Sequence, residues 1–146
     1  MVRKLALFFV LSGLLLAGCD NAPEESEADL VKERLVGTWL REYDDQGAHV
    51  RRVLILDADG KFREMSTVVA SGGADKVESE GEGQWLFDGT NLKRHYSRLN
   101  GKPISVPMVP FATFELSFPS RSEFVGVDHV HKLEVHYERV AEGTEP

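Results

Sequence analysis

The residue pattern predicts an all-β fold: an antiparallel sandwich or closed barrel of about eight strands, set behind an apolar N-terminal segment, a short tether and a short helix. Three observations carry this expectation. Beyond Gly37, apolar and polar residues alternate with period two. Hairpin-type dipeptides punctuate the alternation at Asp59-Gly60, Asp88-Gly89 and Asn100-Gly101, with a further turn at Phe118-Pro119-Ser120-Arg121-Ser122. The connections are short, so consecutive strands run antiparallel, and closing the sheet on itself removes its exposed edges.

The N-terminal segment comes first. Arg3-Lys4 is a basic start, and Leu5 through Leu16 contains only Leu, Ala, Phe, Val, Ser and Gly. That run suits the apolar core of a secretion signal and falls short of the roughly 20 residues a membrane-spanning helix needs. Residues 1–18 are therefore read as a signal peptide. Leu16-Ala17-Gly18-Cys19 resembles the lipobox of bacterial lipoproteins. The resemblance implies a diacylglyceryl thioether on Cys19, cleavage just before it and acylation of the new amine. A single acyl chain at ~0.8 kcal/mol per buried CH₂ binds a membrane only marginally, whereas two or three anchor it stably. In enteric bacteria an Asp after the lipidated Cys resembles an inner-membrane retention signal. Asp20 thus favours the periplasmic side of the inner membrane, with the outer membrane as the alternative.

Charge and cysteine usage agree with that placement. The chain carries a formal charge of −7, and losing Arg3 and Lys4 with the signal makes it more acidic still. Such a chain is unsuited to nucleic acid and to anionic headgroups, so attachment comes from the lipid rather than from surface charge. Cys19 is the sole cysteine, so no disulfide is available and stability rests on a hydrophobic core. No cofactor is implied beyond the covalent diacylglyceryl and acyl groups.

Residues 19–29 read as a flexible tether, acidic and interrupted by Pro23. Ala28 to Val36 forms a short helix with Leu30, Val31 and Leu35 near one face and Gly37 as its stop. Residues 30–140 constitute the barrel domain and 141–146 a disordered tail. Strands are expected at about 37–43, 49–57, 61–69, 80–87, 91–99, 111–118, 123–128 and 131–140. Gly83, Trp85 and Phe87 share a face; so do Ala112, Phe114, Leu116 and Phe118; so do His131, Leu133, Val135 and Tyr137. Segment 91–99 alternates poorly, with Arg94, Tyr96 and Arg98 together, and reads as an edge strand or as the lining of a polar mouth. Residues 70–79 read as a mobile loop. Pro103, Pro107 and Pro110 keep 102–110 out of any central strand.

Leu35-Val36-Gly37-Thr38-Trp39 resembles the opening of lipocalin-like domains, which carry Gly-x-Trp on their first strand. Asp57-Ala58-Asp59-Gly60, Phe62 and Gly83-Gln84-Trp85 resemble a pattern of small bacterial members. The resemblance implies an eight-stranded barrel whose bottom is closed by Trp39 against an Arg near the last strand, here Arg139.

The inward aromatics Trp39, Trp85, Phe87, Phe114, Phe118 and Tyr137 have two readings: the lining of a pocket for a small apolar ligand or lipid, or a packed core. His129 and His131, with Asp128 and His136 nearby, are weak metal candidates. His-x-His aligns two rings on a strand, but no third ligand shares their parity, so no metal is expected. Asp57 and Asp59 flank a turn, and Glu78, Glu80 and Glu82 lie on an exposed stretch, so turn chemistry and solvation account for them. The sequence holds neither a Gly-x-Ser-x-Gly elbow nor a Gly-rich phosphate loop. The expectation is a non-enzymatic, lipid-anchored envelope protein. Its barrel either binds a small apolar ligand or serves as a scaffold contacting another envelope protein, through 70–79 and the stretch around Ile104 to Val109.

Overall fold

A computed structural model describes residues 26–73, 75–104 and 111–146. The expected signal peptide, Cys19, most of the tether and residues 105–110 lie outside the described residues. The first element is a helix, α1 (Glu27–Leu35). Ser26 caps it by accepting a hydrogen bond from the Asp29 amide at 3.2 Å. Acidic Glu27 and Asp29 in the first turn, and basic Lys32 and Arg34 in the last, oppose the charges of the helix dipole. Leu35 is fully buried and Val31 packs beside the core, but Leu30, expected on that face, is 51% exposed.

Nine strands follow: β1 (Gly37–Asp45), β2 (Ala48–Leu56), β3 (Lys61–Ala70), β4 (Lys76–Phe87), β5 (Asn91–Leu99), β6 (Lys102–Pro103), β7 (Phe111–Ser120), β8 (Glu123–Asp128) and β9 (Leu133–Val140). All pair antiparallel. Eight close a ring in the order β1, β2, β3, β4, β5, β7, β8, β9 and back to β1, while two-residue β6 extends the end of β5. The expected all-β fold, a closed antiparallel barrel of eight strands behind a short helix, is present.

Turn chemistry sets the hairpins. Asn100 and Gly101 both take positive φ (49° and 73°), as a two-residue type I′ loop requires, and Gln46-Gly47 (46° and 81°) does the same between β1 and β2.

Two boundaries and the place of one strand differ from expectation. β4 starts at Lys76, so residues 76–79 belong to the sheet instead of a loop. Their polar composition hides a ladder in which Val68 faces Val77 and the Ser66 and Ser79 hydroxyls meet at 2.8 Å. β5 is a central strand, bonded to β4 and β7, not an edge. Its alternation is broken because a bulge opposite Glu82 and Gly83 inserts one residue, sending Arg98 outward to Glu82. β9 starts at Leu133, leaving His131 in the preceding turn. Asp128 accepts from the amides of Val130 (2.8 Å) and His131 (3.0 Å), and Lys132 adopts φ 54° to re-enter the sheet.

Inward-facing glycines let large rings fill the barrel. A Cβ on Gly126 would press on Phe114 and Val135, and one on Gly81 would meet the Tyr96 ring. The core comprises Leu35, Trp39, Leu54, Leu56, Phe62, Trp85, Leu92, Phe114, Phe124, Val135 and Tyr137. The tail after β9 lies against the outer wall, where Arg51 Nε donates to the Glu145 carbonyl at 3.0 Å.

Candidate functional site

The two ends of the barrel are built differently. At one end the Arg139 guanidinium carbon sits 4.3 Å from the centroid of the Trp39 ring. Arg139 also donates to the Val36 carbonyl at 2.9 Å and to the Arg34 carbonyl. Trp39 Nε1 donates to the Leu35 carbonyl at 2.8 Å, fastening α1 across this end. Gly37 makes the arrangement feasible: its φ is 137°, and a Cβ there would overlap the Arg139 guanidinium. Arg34 adds a second contact, 4.3 Å over the Phe118 ring, and donates to the Ser120 carbonyl.

The inward aromatics occupy this closed half. Phe124 joins three of them, edge-on to Trp39 (4.7 Å), stacked with Tyr137 (4.9 Å) and tilted to Phe118 (6.5 Å). Trp85 is 4% exposed and donates from Nε1 to the Asp57 carbonyl at 2.9 Å. Phe87 is partly buried against the same cluster, and Phe114 is 8% exposed.

Above the aromatics lies a charged cluster that the sequence reading did not assemble. Arg94, 3% exposed, pairs with Glu64, whose other oxygen accepts from the Tyr96 hydroxyl at 3.2 Å. Arg52 approaches Glu64 at 3.7 Å. The β1–β2 register places Arg41 directly across from Arg52, with Trp39 opposite Leu54 and Tyr43 opposite Val50 on the same inward face. The Arg41 guanidinium lies 4.0 Å over the Tyr43 ring. The Nε atoms of Arg52 and Arg94 are buried and have no hydrogen-bond partner among the described residues. Burial raises the Glu64 pKa, but the charges of Arg94 and Arg52 and the hydrogen bonds from Arg94 and Tyr96 more than offset it, leaving the carboxyl below its ordinary value. Burial lowers the pKa of Arg52 and Arg94, yet Glu64 holds both above the usual guanidinium value. Tyr96 and Tyr137 are pushed up by burial and stay neutral.

The sequence signal for this cluster was parity. Arg41 sits two residues from inward Trp39, and Arg52 two from inward Leu54, but both segments also read as solvated strands. Glu64 is visible only through its partner 30 positions away.

Beyond the cluster lies the other end of the barrel, where β4 begins and β5 ends. Val77, Leu99 and Leu133, all at inward register positions, are 61%, 48% and 42% exposed. They form an apolar rim.

The metal candidates separate. His129 Nε2 meets Glu115 at 2.6 Å, His131 Nδ1 meets Asp128 at 2.6 Å, and His136 Nε2 meets Glu134 at 2.7 Å. Because His131 lies in the turn, the rings of His129 and His131 do not share a strand face. Among the described residues no three His, Cys, Asp or Glu side chains converge as a metal site. Asp59 binds Lys61 across its turn, and Glu80 and Glu82 pair with Arg63 at 3.2 and 3.8 Å on the outer wall. Within the described residues no helix is long and apolar enough to cross a membrane. No protein family and no curated protein matches this chain.

Proposed function

We propose that this chain is a lipid-anchored cell-envelope lipoprotein whose barrel takes up a small apolar ligand or lipid through its open end. The anchor half of this reading rests on Leu16-Ala17-Gly18-Cys19 behind a signal-like apolar run. The binding half rests on the contrast between the ends. One is fastened shut by α1, Trp39 and Arg139, while the other exposes inward-facing Val77, Leu99 and Leu133. Apolar side chains left exposed at inward positions mark a mouth where an apolar guest gains contact.

A second reading has its own observation. On the outer wall Leu86 is 51% and Phe111 67% exposed, and they flank a groove with Trp85 and His95, whose ring stacks on Phe111 at 4.9 Å. This patch suits a non-enzymatic scaffold that touches another envelope protein.

Intact mass of the full-length protein, isolated from membranes beside a Cys19→Ser variant, tests the anchor. The wild type is expected to start at Cys19 with added acyl mass, and the variant to carry none. A wild type that keeps residues 1–18 and a free thiol overturns it. Lipid analysis of the same preparation in nanodiscs separates the two roles. A co-purifying lipid absent from the disc mixture supports the barrel as a binder, and a protein cross-linked at Phe111 in its place supports the scaffold.

A further inference from the structure

The geometry points to an oxyanion head group, carried on an apolar chain, as the chemistry that the open end accepts, with Arg41 and Arg52 as the residues that hold the head. This names the ligand class for the binding role above and rests on that reading.

The first observation is a local conflict. Arg41 and Arg52 face each other across β1 and β2 and both point inward. Like charges directly opposite in a ladder destabilise a sheet. Local rules broken in this way are expected where function requires it.

The second is a guanidinium without an ion-pair partner. The inward positions between the closed end and the rim carry three guanidiniums, Arg41, Arg52 and Arg94. The carboxylate among them, Glu64, is already engaged by Arg94 and Tyr96, with Arg52 at 3.7 Å. Of the other inward carboxylates, Asp128 is held by the amides of its own turn and by His131 Nδ1 at 2.6 Å, and Asp45 lies exposed at the end of β1. Arg41 has no carboxylate within ion-pair distance among the described residues and rests on Tyr43 instead. A chain of formal charge −7 thus leaves one inward guanidinium, Arg41, without a carboxylate.

The third is the rim. Val77 on β4, Leu99 on β5 and Leu133 on β9 expose apolar side chains at inward positions toward the same end of the barrel. A carboxylate or phosphate matches the guanidinium fork, and an acyl chain matches the rim. A free inorganic anion would leave the rim unused, and a neutral lipid would leave the arginines unsatisfied.

The test uses the full-length lipoprotein in phosphatidylcholine nanodiscs, with empty discs as the blank, titrated with decanoate, decyl phosphate, decanol and inorganic phosphate. A charge-assisted contact predicts that decanoate or decyl phosphate binds about tenfold or more tightly than decanol. Whichever of the two binds better identifies the head as carboxylate or phosphate. Arg41→Met is expected to abolish that preference while its urea midpoint stays level or rises, since a like-charge pair is relieved. Arg41→Lys is expected to keep most of it. Equal binding of decanol and the charged amphiphiles, or an unchanged preference in Arg41→Met, overturns the oxyanion inference and leaves an apolar binder standing. Inorganic phosphate binding as tightly as decyl phosphate overturns the amphiphile. No binding of any probe overturns both this inference and the binding role.

Discussion

Single residues decide how each end of the barrel behaves. At the closed end Gly37 is required twice, by its φ of 137° and by the guanidinium that fills the space a Cβ would need. Gly37→Ala is expected to lower stability by about 1–3 kcal/mol in urea unfolding, with the larger loss if Arg139 is displaced from Trp39. Within the barrel Glu64 is the residue on which Arg52 and Arg94 depend. Removing it strands buried Arg94, so Glu64→Leu should cost about 3–5 kcal/mol, and Arg94→Met in the same chain should restore much of the loss. A double-mutant cycle checks this. The pH dependence has a definite sign. Because the folded-state pKa of Glu64 lies below its ordinary 4.5, its contribution is fully present above about that pH and disappears as pH falls through the folded value. Glu64→Gln is therefore expected to flatten the acid limb of a stability–pH profile, and an unchanged limb would show that other carboxyls govern it.

At the scale of elements, the helix and the strands were legible to different depths. Three of the turns that bound strands, Asp59-Gly60, Asp88-Gly89 and Asn100-Gly101, follow from their own residues, because left-handed φ is a local demand that local chemistry announces. The start of β4 was not legible, since Lys76 to Ser79 gain their place from partners on β3 rather than from their own pattern. The bulge in β5 shifted parity in mid-strand and made a central strand read as an edge strand or as the lining of a polar mouth. In α1 the expected face contained one residue too many. Leu35→Ala is expected to cost about 2–5 kcal/mol, because the side chain is fully buried beneath Trp39, whereas Leu30→Ala, at 51% exposure, should stay within about 0.5 kcal/mol of wild type. Thermal unfolding of the two variants side by side checks the assignment. Similar losses would mean that α1 sits in a different rotation.

For the whole molecule, closure is uneven. The ring is completed by β4 against β5 through seven residue pairs and by β1 against β9 through three, from Thr38–Val140 to Leu40–Glu138. Above that short seam β1 continues to Asp45 bonded to β2, and β9 runs back to Leu133 bonded to β8, without pairing to each other. Arg41 and Tyr43 lie along the unpaired stretch, so the charged cluster borders the weakest join of the barrel. No sequence pattern announces this, because each strand keeps a full ladder on its other side and its composition reads the same. Opening of the ring should then begin at this join, since it breaks the fewest hydrogen bonds. Hydrogen exchange tests the idea directly. Amides of Arg41–Asp45 that point toward β9 are expected to exchange much faster than their alternates bonded to β2, and faster than the amides that join β4 to β5. A ligand held by Arg41 and Arg52 should slow exchange at the upper seam and leave the β4–β5 ladder unchanged. Uniform protection around the ring would show instead that the barrel opens only by unfolding as a whole, and that a guest must enter through the rim without parting the wall.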